Sequence, residues 1–196
     1  MKSENIVLIG KGGHSMACVE ICNLLKISYT QIKIEDLDYY LEHLETKERN
    51  IKFFVCLGDI EKREKLIFLL RNKKLSICSL IHPTAIISTS SKISEGSFIG
   101  ANTILGPNTS IGTASIVNTS SIIEHASTVG SYTNIGPNSV LCGNVVVGSK
   151  CFIGASATII DNLNIVDNVL IAAGAVVINN IDIEYSREKG VPSKSW

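Results

Sequence analysis

The sequence carries no net charge, since 18 Lys and Arg balance 18 Asp and Glu over 196 residues. That removes the long-range attraction on which nucleic-acid and anionic-membrane binders rely. No apolar run approaches the roughly 18 residues of a membrane span, and no basic-plus-apolar leader opens the chain. The six cysteines (Cys18, Cys22, Cys56, Cys78, Cys142 and Cys151) include no C-x-x-C pair. They sit mostly among apolar neighbours, as free thiols do in a reducing cytoplasm. Histidine is scarce as well. Only His82 and His125 fall in or beside the second part of the chain, too few for a three-ligand zinc site. These absences predict a soluble cytoplasmic protein without metal, nucleic-acid partner or membrane.

What the chain has is a period. From Ile87 to Val177 every sixth residue is Ile, Leu or Val, with no insertion or deletion. With those types filling roughly 0.3 of the chain and ~100 starting points, chance gives such a run about once in 10^6. A fixed six-residue period is the mark of a parallel β-helix. The position four residues after each apolar one is Ser or Thr from Ser91 to Ser139, then Val145, Cys151 and Ala157. It is small, as a tight inner corner requires. Glycine often follows the apolar residue, as at Gly100, Gly112, Gly130 and Gly148, and is read as the point where the backbone turns. Three hexads predict one triangular coil and the run about five coils, each burying its apolar row only against its neighbours.

The repeat leaves residues 1–81 as a separate unit, with 82–196 as the helix and its tail. In the first unit the run IVLI ends in the loop Gly10-Lys11-Gly12-Gly13-His14-Ser15. A helix then follows, with Ala17, Ile21, Leu24 and Leu25 along one face. Further strands are expected over Tyr29–Ile34, Lys52–Leu57 and Leu75–Ile81, with a helix over Ile60–Leu70. His82-Pro83 marks entry to the repeat. Strand and helix in alternation predict a small parallel α/β sheet of Rossmann type. Strand, glycine turn and helix start offer backbone N–H groups to a phosphate. Ser15 replaces the third glycine of a dinucleotide fingerprint, so a nucleotide diphosphate fits better than NAD. A merely tight turn between strand and helix is the bland alternative. His14 could donate to a ligand, and Glu35-Asp36, after the second strand, could bind a hydroxyl, an amine or a uracil edge.

Within the repeat, Ser120-Ser121-Ile122-Ile123-Glu124-His125-Ala126 places a titratable pair where small polar residues are the rule. A neutral imidazole can take up a proton and so suits a general base. Surface decoration is the competing reading. A Thr-laddered structural solenoid is not favoured, because the Thr positions are scattered and such a protein has no need of an α/β unit.

Taken together, IVLIGKGGHS, VCLGDIEKR, LIHPTAIIS, NTSSIIEH, LCGNVVVG and the closing GVPSKSW resemble the bacterial hexapeptide-repeat sugar acetyltransferases. That family includes UDP-4-amino-sugar N-acetyltransferases and sialic acid O-acetyltransferases. The likeness spans nearly the full length. It implies a Rossmann-like nucleotide-sugar-binding domain followed by a left-handed parallel β-helix, a homotrimer, and active sites between subunits. It implies acetyl-CoA as co-substrate, a nucleotide-sugar acceptor, and a place in the synthesis of bacterial surface glycan or glycoprotein sugars.

By the same resemblance His125 is the general base, and Gly143 offers its N–H to the thioester carbonyl. Asn134 stands where relatives often carry a second histidine touching acetyl-CoA, and Ala155 and Ala173 line the pantetheine and adenine end. Gly12, Gly13 and His14 hold the nucleotide-sugar beside Glu35, Asp36 and Gly58, with Asn118 reaching the acceptor. Relatives often place an acidic residue directly after the histidine, where this chain has Ala126. Glu124, a residue of another coil or an acceptor group then takes that part. The favoured reaction is N-acetylation of a UDP-linked 4-amino-4,6-dideoxy sugar. O-acetylation of sialic acid and a non-catalytic nucleotide-sugar-binding scaffold are the alternatives.

Overall fold

A computed structural model describes residues 5–44 and 51–195. The first unit runs β1 (Asn5–Ile9), α1 (Gly13–Leu24), β2 (Ser28–Ile32), α2 (Leu37–Glu42), β3 (Ile51–Val55) and α3 (Ile60–Asn72). Its three strands form a parallel sheet in the order β2-β1-β3. The short helix α2 is not expected from the sequence. The buried stripe of α1 is Ser15, Cys18, Ile21 and Cys22, whereas Leu24 and Leu25 are about half exposed. Two thiols therefore carry the face that the aliphatic spacing assigns to Ala17, Leu24 and Leu25; a thiol packs as a small hydrophobe. Helix α3 is capped by Asp59, whose Oδ1 accepts from the Lys62 N–H at 2.9 Å.

Everything from Leu80 to Val177 is a parallel, left-handed β-solenoid of about 6 turns. Each strand is two residues long and pairs in parallel with the strand eighteen residues on, as Ile116 with Asn134 and Val117 with Ile135. The first face runs from Leu80–Ile81 to Leu170–Ile171, the second from Ile86–Ile87 to Val176–Val177, and the third from Lys92–Ile93 to Asn164–Ile165. The solenoid begins one hexad earlier than the run from Ile87, because Ile81 is already in phase. Leu80–Ile81, expected to close the α/β sheet, instead pairs with Phe98–Ile99 on the first face. A hairpin of Arg187–Lys189 and Lys194–Ser195 closes the far end, and Trp196 of the closing motif lies outside the described residues. Among the described residues no helix is long and apolar enough to cross a membrane.

The apolar row from Ile99 to Val177 is buried throughout. The inner-corner hydroxyls are buried too, and each is satisfied: Ser97, Thr103, Ser115, Ser121, Ser127, Thr133 and Ser139 donate to carbonyls fifteen residues on, at 2.7 to 3.0 Å. The glycines have a different role from the one the sequence suggests. The turn is made three residues after the apolar position, by residues from Gly96 to Gly174 with φ between 51° and 73°, often Asn. The glycine directly after the apolar residue faces the next coil. A Cβ on Gly130 would lie 2.4 Å from the carbonyl carbon of Gly148 and 2.5 Å from the Ser149 nitrogen.

The α/β unit is fused to the solenoid. Ile6, Leu8, Cys18, Ile21, Cys22, Phe54 and Cys56 share one core with Leu80, Phe98 and Ile116 of the first face. Ala114 joins the core on the other side of the sheet. Lys150–Glu64 at 2.8 Å adds an ion pair between solenoid and α3.

Two substitutions separate these roles. Thr133→Val keeps the corner's shape but strands the Gly148 carbonyl and the Cys151 N–H that Thr133 Oγ1 serves, costing about 1–3 kcal/mol. Gly130→Ala drives backbone into backbone and costs at least about 3 kcal/mol. Urea unfolding of both variants ranks them, and equal losses would refute the close-approach reading.

Candidate active site

A cleft of about 650 Å³ opens between the N-terminus of α1 and the first face of the solenoid. Its walls include Gly13, His14, Gly58, Asn118, Asn134 and Ala155, so six of the residues singled out from the sequence meet there. Gly12 caps α1 with no side-chain hydrogen bond. A Cβ on Gly12, Gly13 or Gly58 would meet no protein atom within 4 Å, and none of the three has a left-handed φ. Neither packing nor backbone conformation therefore requires glycine at these positions. The backbone there is left open to the approach of a ligand.

His14 stands edge-on to Phe98, ring centroids 4.6 Å apart at 71°. Its Nε2 is buried without a hydrogen-bond partner, a costly state for a polar atom. Below it, Cys18 donates from Sγ to the His14 carbonyl at 3.3 Å. A hydrogen bond with Cys56, reinforced by His14, pulls the Cys18 thiol down to about 6 against the opposing effect of burial. The partner Cys56 is pushed well above the ordinary thiol value, first by that same bond.

Behind the cleft lies Arg63, which is 1% exposed and has no carboxylate partner among its hydrogen bonds. It donates from Nε to the Ala114 carbonyl at 2.8 Å, from Nη1 to Leu57 O at 2.7 Å, and from Nη2 to Tyr132 O at 3.0 Å and Asn134 Oδ1 at 2.6 Å. Burial lowers its guanidinium to about 10. Asn134 turns its amide nitrogen to the Gly58 carbonyl at 2.8 Å. Its side chain, assigned by resemblance to acetyl-CoA, is thus engaged at both ends in fastening the Gly58 turn to the solenoid. Sequence reading missed Arg63, although its spacing to Ile67 and Leu70 put a charge in the buried stripe of α3.

His125 and Glu124 lie elsewhere, exposed on the corner between the second and third faces. The His125 ring covers Gly143 of the next coil; a Cβ there would sit 2.5 Å from Cε1 and 2.6 Å from Nε2. Glycine at 143 is what lets the imidazole come this close to the next coil. The Gly143 N–H donates to Asp161 Oδ1 at 3.0 Å, so donation to a thioester carbonyl requires that bond to open or be shared. Ala126 turns the corner at φ 57°. Ala155 and Ala173 stack eighteen residues apart on the corner between the first and second faces, where Ala173 is exposed and outside the cleft. Glu35 pairs with Lys33 at 3.8 Å and Asp36 heads α2; neither lines the cleft. Among the described residues no three His, Cys, Asp or Glu side chains are placed to hold a metal ion.

Residues 126–161 match the model of the bacterial transferase hexapeptide, six repeats. No curated protein sequence matches significantly. Among solved structures, the chain is similar to PerB of Caulobacter crescentus in complex with CoA and GDP-perosamine. That match has 28% identity and a TM-score of 0.91, covering 98% of this chain and 97% of that one. A histidine-to-alanine variant of GDP-perosamine N-acetyltransferase from the same organism, with CoA and GDP-perosamine, is 26% identical at TM-score 0.90, covering 98% and 96%. The acetyltransferase domain of PglB from Neisseria gonorrhoeae with acetyl coenzyme A is 23% identical at TM-score 0.89, covering 99% and 100%, a likeness of fold.

Arg63→Lys offers one compact ammonium to a site built for a fork. It is expected to lose about 3 kcal/mol of stability in urea unfolding; a loss under about 1 kcal/mol would show the fastening to be dispensable.

Proposed function

We propose that this chain is a hexapeptide-repeat sugar acetyltransferase using acetyl-CoA, and that its acceptor is the amine of a nucleotide-linked 4-amino-4,6-dideoxy sugar. The observation that carries the reading is the trio Gly12, Gly13 and Gly58, bare for no reason internal to the chain, at a cleft headed by a helix N-terminus with no side-chain cap. Helix N–H groups and open backbone suit a diphosphate, which favours a nucleotide-linked acceptor over free sialic acid. In the order β2-β1-β3 the central strand delivers this loop between two oppositely placed neighbours, where α/β sheets bind ligands. On that ground we read residues 1–81 as a Rossmann-like nucleotide-sugar domain and 82–196 as the acetyltransferase domain. The resemblance implies a uridine nucleotide, while the relative solved with GDP-perosamine makes guanosine the second candidate.

In this reading His125 takes a proton from the amine as its lone pair attacks the thioester carbonyl carbon. The tetrahedral oxyanion collapses, the carbon–sulfur bond breaks, and the CoA thiolate receives the proton from the imidazolium. No covalent enzyme intermediate forms. The cleft and His125 occupy different corners of one solenoid, separated by the second face. That face carries Ile86, Ile104, Ile122, Val140, Thr158 and Val176, a partly exposed row that is apolar but for Thr158, whereas the third carries Lys92, Ser110, Thr128, Val146 and Asn164, of which only Val146 is apolar. Packing second faces around a threefold axis would cover the row and bring one subunit's His125 toward a neighbour's cleft. This supports a homotrimer with shared sites.

The test is release of CoA thiol from acetyl-CoA with a UDP-4-amino-4,6-dideoxy sugar, GDP-perosamine or free sialic acid as acceptor. Turnover is expected with a nucleotide-amino-sugar, and turnover with sialic acid alone would overturn the amine reading. His125→Ala is expected to lose at least about 10^2 in kcat with its oligomer intact by light scattering. Gly13→Ala should leave the melting temperature unchanged or raised and weaken nucleotide-sugar binding about tenfold or more in calorimetry. Undiminished binding would mean that the bare backbone serves no ligand.

A further inference from the structure

Ala126 leaves His125 without the acidic neighbour that the family resemblance leads one to expect, and the coil geometry places another carboxylate beside the ring. Stepping by one coil from His125 gives Gly143, and a second step gives Asp161. Because Gly143 has no side chain, the ring and the carboxylate share the space above it. The point where its Cβ would stand is 2.6 Å from His125 Nε2 and 3.3 Å from Asp161 Oδ1. A half-turn of the ring exchanges Nε2 with Cε1, the other atom on Gly143, so a nitrogen faces this space in either orientation. The carboxylate is held there by the Gly143 N–H at 3.0 Å.

The geometry points to Asp161 as the positioning residue for His125: its carboxylate, reaching across Gly143 from two coils on, orients the ring and stabilises the imidazolium formed when the amine proton is taken up. The inference rests on reading His125 as the base. The charged groups about the ring are Glu124 on its own coil and Asp161, both of which raise the Cys142 thiol of the intervening coil after its burial does. Pro107, one coil before, carries no charge. Both carboxylates are exposed and neither hydrogen-bonds the ring in this arrangement; what separates them is that Asp161 is fixed by the Gly143 N–H at the very space the ring occupies. The contact also has a purely structural counterpart. Asp167 Oδ1 accepts from the Ser149 N–H at 2.7 Å, eighteen residues back, on a corner with no histidine. That pair is the control, because it separates capping a coil from serving a base.

Asp161→Asn keeps an acceptor for the Gly143 N–H and removes the charge. With acetyl-CoA and the amino-sugar, kcat is expected to fall about tenfold while both KM values stay within about twofold of wild type. Asp167→Asn should leave both unchanged, and Asp161→Glu should recover part of the loss. Independently of any acceptor, NMR of the histidine rings, with His125 assigned by its absence in His125→Ala, should show its signals displaced by Asp161→Asn and not by Asp167→Asn. Wild-type kcat in Asp161→Asn, an equal loss in Asp167→Asn, or ring signals that move with Glu124→Gln instead would overturn the assignment. Should the wild type acetylate no amino-sugar, the functional reading fails by itself, and the ring signals still decide whether the carboxylate acts on His125.

Discussion

A hydroxyl inside a corner, bonded to a carbonyl three residues short of a full coil away, is what the rest of this molecule depends on. The corner cannot hold a large side chain, yet its backbone groups are cut off from water and must find partners. Ser and Thr meet both demands at once. Their repetition from Ser97 to Ser139 ties each coil to the next at 2.7 to 3.0 Å. Where Val145, Cys151 and Ala157 take over, the size requirement persists and the corner becomes apolar.

From that stacking follows the distribution of chemistry. Positions eighteen residues apart form columns on the surface, so a functional group is defined by its corner and its coil rather than by its neighbours in sequence. The corner of His125, Gly143 and Asp161 and the corner of Ala155 and Ala173 are two such columns on either side of an apolar face. The α/β unit covers a third surface and brings its glycine loop to the edge of one column only. A single chain therefore holds the cleft and the histidine apart, with the second face between them.

The period in the sequence was legible down to the phase of each hexad, because a buried apolar row tolerates no slip. The role of the glycines was not. A residue required for close approach and a residue required for a turn are the same letter, and here the turn falls two positions later, on Asn102, Asn108, Asn138 and others with positive φ. In α1 the aliphatic residues suggested one face and the thiols of Cys18 and Cys22 took it. The cleft residues Gly13, His14, Gly58, Asn118, Asn134 and Ala155 were named from sequence, although Asn134 proved to be engaged by Arg63. Arg63 itself was hidden because a lone charge in a helix reads as surface, and Asp161 because its relation to His125 exists only modulo the coil.

Arg63 gives the molecule a scale. It reaches from α3 to Ala114, Tyr132 and Asn134, and so fixes the coil against which the α/β unit sits. Coils stack at about 4.8 Å, the spacing between neighbouring strands. Arg63 grips Ala114 and Tyr132, one coil apart on either side of His125 in the chain, so a coil gained or lost between them would part those two carbonyls by a further step of that size and break the clamp. The guanidinium thereby locks the cleft and His125 into one register along the axis, whatever the number of coils beyond them.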